Sequence, residues 1–425
     1  MKKPCIVSES CPRVVYWFNQ PTPYVVARFN AVAERGVVDL EAWFSEVRQS
    51  DRSWDVNEKE WKFPARYIPV RRLLGVPVRA PLPELLDSAP DVFVLEYDRL
   101  NLALGAVAGR AAAKSLGFRV LPNFDAWSHR TWWREAAKHL LFRSIDGVKV
   151  PGSNGQALAT RYGAESNRIS FVRQSIDLAR YGAALTIDPK DRAARRSRLG
   201  LSGCVFLFVG RLWEGKGLDE LFAAYRRLES EIGDMASLLI IGDGIDEARY
   251  RNLFGNLPRV VLPGFVQPAE LPEWYALADC LVFPTHGDPN GLVVEEALAA
   301  GLPVVVSNAA GDIDQRVPEG IVGYVFPVGS VEGLYESMTK IAMDPAGRQA
   351  MARRAVQHVS DKSVEQYAAD FEAFIAEIVG NPTKRGVAAS LSRVTGRFVL
   401  GLARLQRWRS ATYVVEGSGP SDEPA

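Results

Sequence analysis

Short hydrophobic runs alternate with longer amphipathic stretches along the first half of the chain. The longer stretches, such as residues 25–36 and 101–117, carry apolar residues at helical spacing and end on a glycine, which is typical of a helix C-terminus. The short runs are rich in β-branched and aromatic residues, as strands are. They predict strands at residues 13–18, 40–45, 91–97, 118–124, 147–152 and 168–174.

The same alternation starts again after residue 200. It predicts strands at residues 204–210, 236–244, 259–265, 280–285, 302–308 and 323–328. Hydrophobic strands that are separated by amphipathic helices indicate a parallel sheet covered on both faces. Two such sets predict two doubly wound α/β domains that face a central cleft, with ligands bound beyond the carboxyl ends of the strands.

The domain boundaries follow from the chain length and from a polar segment. A chain of 425 residues exceeds the size at which one hydrophobic core keeps growing. Residues 175–200 are polar and poor in strand signals, so they separate the two halves. We predict an N-terminal Rossmann-like domain over 1–178, a C-terminal Rossmann-like domain over 179–380, and an extension over 381–425 that ends in a disordered tail, GSGPSDEPA.

The extension contains a basic amphipathic helix, predicted within residues 383–409. Such a helix either lies on an anionic membrane or packs its apolar stripe against the protein's own body. A second basic stretch, residues 61–80, has five cations and no acid, and it favours peripheral membrane association. The stripe consists of Val387, Leu391, Val394, Phe398, Leu402, Leu405 and Trp408, and the neighbouring face carries Arg393, Arg397, Arg404 and Arg407.

Composition narrows the class of protein. Hydrophobic residues make up 47% and charged residues 24%, with a formal net charge of +1, as in an ordinary globular protein. This balance argues against general nucleic-acid binding. The sequence shows neither a signal peptide nor a long uncharged apolar run, so we expect a cytoplasmic protein without a transmembrane helix. The four cysteines and four histidines form no metal-ligand spacing, so no zinc site is expected.

The loop after the strand at 204–210 has the features of an anion site. Arg211 and Lys216 lie in a glycine-rich connection that opens a helix. Glycines allow close backbone approach, and a helix N-terminus attracts negative charge, so the loop predicts a diphosphate site. The plainer alternative is a pair of solvated loop cations. The segment is not a P-loop, and the glycine turn at Gly242 is by itself no more than a β–α turn.

Two acids frame the segment GDPNGLVVEEALAAG, residues 287–301. Asp288 precedes a proline and is expected in a loop, whereas Glu296 lies inside the following helix. The plain alternative makes Asp288 a turn or cap residue and Glu295 an exposed first-turn acid. Glu296 does not fit that alternative, because it shares a helix face with apolar residues and burial without a partner would be costly.

The order VGRL…KG, IIGDG, LPGFVQPAELPEWYALADCLVFPT and DPNGLVVEEALAAGLPVV resembles the nucleotide-sugar half of family 4 retaining glycosyltransferases. The likeness covers roughly residues 204–380 and is weaker before them. It implies a GT-B fold, in which two Rossmann-like domains face a cleft. It also implies a donor that is a nucleotide-diphosphate sugar.

The resemblance implies roles by position. Arg211 and Lys216 match the cations that bind the donor's diphosphate, and Val266 matches the turn whose backbone reads the base. Asp288 and Glu296 match the E-x7-E signature, whose first acid lies by the transferred sugar and whose second acid holds the ribose hydroxyls.

The implied donor site also includes the start of the helix that follows the loop, which we call the helix mouth. Gly291 and Leu292 match residues whose backbone amides contact the sugar and phosphate of the donor. The resemblance also implies donor contacts for Asn290, Val293 and Gly242. Asn290 stands where the family often has Phe.

Asp288 also departs from the family's pattern, because the usual residue at this position is Glu. The side chain of Asp is one methylene shorter, so its contact with the sugar is expected to differ. On the acceptor side, Asp125 and His129 follow a predicted strand and are candidates for the polar group near the anomeric carbon. Either is equally a cap or surface residue.

We therefore predict a retaining glycosyltransferase that transfers a sugar to a glycan or lipid-linked acceptor in surface polysaccharide or glycolipid synthesis. Cations and a helix dipole would stabilise the leaving diphosphate without a metal or other cofactor. The protein would be cytoplasmic, or peripheral on the inner face of the plasma membrane. The alternatives are a sugar-nucleotide epimerase of the same fold and a non-catalytic relative that binds nucleotide sugar or membrane.

Overall fold

The structure, a computed structural model, describes residues 11–46, 54–55, 57–96, 99–120, 132–381, 387–406 and 414–415. The chain divides into two compact units. The first unit comprises Met1–Arg52, Val56–Arg173 and Val364–Ala425, and the second comprises Ser53–Asp55 and Gln174–Ser363. Each unit has its own sheet and its own hydrophobic core.

The N-terminal part of the first unit alternates strands and helices. Its strands are β1 Arg13–Phe18, β2 Asp39–Phe44, β3 Ala65–Tyr67, β4 Arg71–Leu73, β5 Val76–Val78, β6 Val92–Leu95, β7 Ser115–Arg119, β8 Gly147–Val150 and β9 Ile169–Phe171. Its helices are α1 Pro23–Arg35, α2 Leu82–Ser88, α3 Arg99–Ala112, α4 Trp132–Ser144 and α5 Ser153–Arg161.

The second unit begins with two helices and then alternates strand and helix. Its strands are β10 Cys204–Val209, β11 Ala236–Ile241, β12 Val260–Gly264, β13 Cys280–Phe283, β14 Val304–Ser307 and β15 Gly323–Phe326. Its helices are α6 Leu178–Gly182, α7 Pro189–Arg198, α8 Leu218–Ile232, α9 Glu247–Phe254, α10 Leu271–Tyr275, α11 Val293–Ala299, α12 Ile313–Arg316, α13 Val331–Met343 and α14 Pro345–His358. The sheet order is β12-β11-β10-β13-β14-β15, with every pair parallel.

The chain then returns to the first unit through α15 Val364–Gly380, α16 Val387–Leu405 and β16 Val414–Val415. The first sheet has the order β16-β3-β2-β1-β6-β7-β8-β9, and only β16 runs antiparallel to its neighbour. Helix α15 packs beside α1 on one face of this sheet, whereas α16 packs with α2, α3 and α4.

This return differs from the predicted boundaries, which placed residues up to 380 in the C-terminal domain and made 381–425 a separate extension. The cause is the apolar face of α15, whose Tyr367, Phe371, Phe374 and Ile378 are buried in the first unit's core. Periodicity shows that a helix has an apolar face, but not which sheet covers that face. The predicted disordered tail lies outside the described residues.

The strand pattern predicts the two parallel sheets well, and the observed strands lie within or close to most of the predicted ranges. The strand expected at 118–124 is an exception, because β7 spans Ser115–Arg119, which the helical pattern of 101–117 had covered in part. Gly117 therefore lies in a strand rather than at a helix end. The pattern also missed β3, β4, β5 and β16, whose two or three residues are too short to show a period.

Candidate functional site

The candidate site lies where the strand order of the second unit reverses. β10 is flanked by β11 on one side and by β13 on the other, so consecutive connections leave it in opposite directions. In open parallel sheets, the ligand site lies beyond the carboxyl ends of the strands at such a switch point. The loops after β10 and β13 are the ones that contain the predicted cations and acids.

The loop after β10 ends in a short 3-10 helix, Glu214–Lys216. Gly217 follows with φ of +70°, a left-handed conformation that glycine adopts without strain. A Cβ atom here would overlap the carbonyl oxygen of Pro284, so this loop passes directly against the loop after β13. Arg211 lies half-buried earlier in the same loop.

An ion pair between Lys216 and Asp288 joins the two loops. The Lys216 Nζ donates to the Asp288 Oδ2 over 2.6 Å, and the side chains are 14% and 19% exposed. The ammonium also lies 5.3 Å from the centre of the Phe283 ring. Burial would raise the pKa of Asp288, but the charge and hydrogen bond of Lys216, with two backbone amides, hold that pKa below its usual value. Asp288 is therefore a carboxylate at neutral pH.

Asp288 also organises the turn that leads into α11. Its Oδ1 accepts hydrogen bonds from the amides of Asn290, at 3.0 Å, and Gly291, at 2.6 Å. The turn role that we weighed as the plain alternative is thus present, together with the ion pair. The Gly291 amide, which the resemblance assigns to sugar or phosphate, is already engaged by Asp288. Leu292 precedes α11 and Val293 begins it, both half-buried.

Asn290 presents a polar atom that no group in the described part of the chain satisfies. Its Oδ1 is buried and accepts no hydrogen bond from the described residues. A buried acceptor without a donor costs on the order of 1–3 kcal/mol. A hydroxyl group would supply the missing donor.

Glu296 is fully buried, which differs from the exposed position that a direct contact with ribose requires. The Tyr275 hydroxyl donates to its Oε2 over 2.6 Å. The partner that burial of this acid demands is therefore present. Because the side chain has no exposed surface, a contact with a ligand needs a rearrangement around it, and the ribose role stays a prediction.

The expectation that Glu295 is an exposed first-turn acid is wrong. Glu295 is buried and forms a bidentate ion pair with Arg316, at 2.7 and 2.6 Å. Arg316 also donates to the carbonyl oxygens of Gly291, at 2.9 Å, and Gly311, at 2.8 Å. Burial would lower the pKa of Arg316, but Glu295 and the neighbouring acids raise it. Arg316 therefore stays cationic and fixes the turn at the helix mouth from behind.

Two further predicted positions lie at neighbouring strand ends. Gly242 follows β11 with φ of +140°, and a Cβ there would overlap the carbonyl oxygen of Gly210 at the end of β10. Glycine is thus needed for the close approach of two strand ends. Val266 follows β12 and is buried. The acceptor-side candidates, Asp125 and His129, lie outside the described residues.

Sequence reasoning missed Arg316 and Tyr275. Arg316 ends the four-residue helix α12, and Tyr275 ends the five-residue helix α10. Neither belongs to a spacing that signals chemistry, and both reach the site only through tertiary contacts. The one available signal was the pair of adjacent acids, Glu295 and Glu296, each of which needs a buried partner.

Comparisons with known proteins identify a family that part of the second unit resembles. The family model described as Glycosyl transferases group 1 matches residues 203–344. A D-inositol 3-phosphate glycosyltransferase from Kribbella flavida is 30% identical over 214 residues, which are 47% of this chain and 49% of that protein. A glycogen synthase from Mycobacterium tuberculosis is 32% identical over 232 residues, 53% of this chain and 52% of that protein. The chain thus spans about half the length of these curated relatives.

The likeness in structure extends further along the chain. HepE from Anabaena, solved in complex with UDP, superposes with a TM-score of 0.67 over 86% of this chain and 99% of that chain, at 17% sequence identity. At this identity the match concerns the fold, and it confirms the predicted pair of Rossmann-like domains. Residues 203–344 therefore resemble the group 1 glycosyltransferases, and the fold of the chain is GT-B.

Proposed function

We propose that this protein is a retaining glycosyltransferase that moves a sugar from a nucleotide-diphosphate donor to a glycan or lipid-linked acceptor. The observation that carries the proposal is the meeting of Lys216 and Asp288 at the switch point, beside the mouth of α11. A cation, an acid and a helix start at one edge of the sheet suit a donor that combines a diphosphate with a sugar. The names of the relatives, and the UDP bound to HepE, support the same class.

In the proposed reaction, the bond between the anomeric carbon and the diphosphate breaks, and the acceptor oxygen bonds to that carbon on the same face of the sugar. The proton of the acceptor hydroxyl passes to the leaving diphosphate. Negative charge then grows on the leaving diphosphate. Lys216 and Arg211 would stabilise that charge electrostatically, in a site where part of the water is excluded. The dipole at the start of α11, near Leu292 and Val293, would add to this effect. We propose that no metal ion is required.

The sugar would lie against the turn at residues 288–291. Asp288 shares its charge between Lys216 and the turn amides, so a bound diphosphate would compete with the carboxylate for the ammonium. Asn290 would accept a hydrogen bond from a sugar hydroxyl through its unsatisfied Oδ1. Such a bond would discriminate between donor sugars, because a sugar that lacks the hydroxyl would leave the buried Asn290 oxygen without a hydrogen-bond donor.

A screen of nucleoside diphosphates by thermal shift, followed by calorimetry, tests the donor site. We expect one base to stabilise the protein, since a ligand that binds only the native state raises its melting temperature. Replacing Lys216 with Ala should weaken that binding by at least roughly tenfold. Unchanged affinity of the Lys216 variant for every nucleoside diphosphate would overturn the site assignment.

Turnover separates the proposed transferase from its two alternatives. Transfer from the donor to an acceptor, with the anomeric configuration retained by NMR, would support the proposal. Conversion of the donor's sugar without an acceptor would indicate an epimerase. Binding without turnover of any donor would indicate a non-catalytic protein, an alternative that stays open because Asp288 stands where the family usually has Glu.

We further propose that the protein acts in surface polysaccharide or glycolipid synthesis, at the cytoplasmic face of the plasma membrane. The basic residues at 61–80 and in the C-terminal helix support a peripheral location. Among the described residues, no helix combines the length and the apolar character needed to cross a bilayer.

A further inference from the structure

Helix α16 exposes an apolar stripe to solvent. Val394 and Phe398 are 65% and 67% exposed, and Leu391 and Leu405 are exposed with them. At about 100° per residue these four side chains fall within a sector of roughly 60° around the helix axis. Large apolar side chains grouped in this way, unlike scattered ones, mark a surface that another phase or molecule covers.

The exposure does not come from a loosely attached helix. A different face of α16, formed by Val399, Leu400 and Ala403, is buried in the core with α2, α3 and α4. Gly396 lies so close to α3 that a Cβ would overlap the carbonyl oxygen of Val107. The stripe points roughly 150° away from this buried face. One face of α16 is thus already packed against the protein core, and the apolar stripe on the opposite side remains exposed.

A second exposed apolar feature is the hairpin of β4 and β5. Leu74 stands at its tip, 71% exposed, with φ of +50°. Turn positions with positive φ favour Gly, Asn or Asp, and a leucine there is strained. Leu74 is therefore an exposed apolar side chain at a position where the backbone disfavours it. Val70 and Val76 beside it are also exposed.

The hairpin and α16 are attached to the same short helix. Arg71 of β4 forms an ion pair with the fully buried Glu84 of α2, at 2.5 Å. Helix α2 in turn packs against α16. The hairpin is therefore not an independent arm, and its position is set by the layer of helices that also holds α16.

The charged side chains around the apolar residues indicate which class of partner fits this surface. Arg397 and Arg404 are exposed on α16 next to the stripe, and Arg72 is exposed in the hairpin. Neither residues 387–405 nor residues 61–80 contain an acid. Apolar side chains bordered by arginines fit an interface between anionic headgroups and acyl chains.

We propose that α16 and the β4–β5 hairpin together form a docking surface for an anionic lipid membrane, with Phe398 and Leu74 as its apolar anchors. The inference deepens the proposed function, on which it rests for its purpose: docking would bring the donor site to a lipid-linked acceptor. The membrane contact itself depends on neither the donor nor catalysis.

Co-sedimentation of the full chain with vesicles tests the surface. We expect binding to vesicles that contain phosphatidylglycerol, little binding to pure phosphatidylcholine, and weaker binding as salt rises. Replacing Leu391, Val394 and Phe398 with Ser should weaken binding by at least roughly tenfold, since three apolar side chains would no longer leave water on docking. Leu74→Asn, which suits the turn, should weaken it by several-fold. Val379→Ser, an exposed valine of α15, is the matched control.

The result that overturns the proposal is vesicle affinity unchanged in both the triple variant and Leu74→Asn, with melting temperatures like that of the parent protein. A stripe that instead holds a second copy of the chain would also overturn it, and light scattering would show this as a dimer lost in the triple variant. Calorimetry with the nucleoside diphosphate keeps the two proposals separate. Loss of membrane binding with intact nucleotide binding concerns this surface alone, and the reverse concerns the donor site alone.

Discussion

Lys216 and Asp288 share one ion pair, and replacing them separately should change nucleotide affinity in opposite directions. The pair spans 2.6 Å in a site where both side chains are mostly buried. In Lys216→Met the diphosphate loses a charge-assisted contact worth about 1.5–3 kcal/mol, which weakens binding roughly 10- to 150-fold. The loss follows whether or not the sugar is present, because the contact is to phosphate.

Asp288→Asn should have the opposite effect on the nucleoside diphosphate. The amide oxygen of Asn keeps an acceptor for the turn amides of Asn290 and Gly291, but the charge that competes for Lys216 is gone. Partly solvated ion pairs contribute up to about 1 kcal/mol, so the diphosphate should bind up to roughly fivefold more tightly. Transfer of the sugar should fall in the same variant, because the acid beside the sugar has lost its charge.

Isothermal titration calorimetry with the nucleoside diphosphate, alongside a transfer assay, measures both effects. Lys190→Met, which removes an exposed cation of α7, is the control for net charge and should bind like the parent protein. Equal weakening in Lys216→Met and Asp288→Asn would refute the reasoning. It would mean that the ion pair acts only as a structural link between two loops and that Lys216 does not meet the phosphate.

Three further predictions concern the support of the site. Arg316→Met should lower the free energy of unfolding, measured by urea denaturation, by roughly 3–5 kcal/mol, because Glu295 is left buried and charged without its partner. Replacing Glu295 with Met in the same variant should recover much of this loss. Gly217→Ala should cost clearly more than Gly36→Ala in the same assay, since both glycines have positive φ but only the first has no room for a Cβ. The lowered pKa of Asp288 adds stability above about pH 4, the range of its unfolded pKa, and this contribution is lost as the pH falls through the folded pKa. Asp288→Asn should therefore flatten the acid limb of the stability profile, and an unaltered limb would contradict the assignment of that charge.

Much of the second unit could be predicted from the sequence. Its strands are the continuous apolar runs that a parallel sheet covered on both faces requires. Proline and glycine ahead of a helical pattern predict the turn at 288–291. The site assignments that depended on the resemblance remain predictions. The structure brings Lys216 and Asp288 together, engages the amide of Gly291, and buries Glu296 more deeply than a direct ribose contact allows.

What the sequence by itself determined is what a local pattern can show: most of the alternation of strand and helix, and the apolar faces of the amphipathic helices. Only the tertiary structure decided which faces meet. Lys216 and Asp288 are 72 residues apart, and they touch because β10 pairs with β13 on the side opposite β11, the strand next in sequence. The same holds for α15, whose apolar face is covered by the first sheet, and for α16, which leaves Leu391, Val394, Phe398 and Leu405 exposed while another face is buried. Periodicity shows that a helix has an apolar face. Whether that face is buried depends on which parts of the chain pack against it in the folded protein.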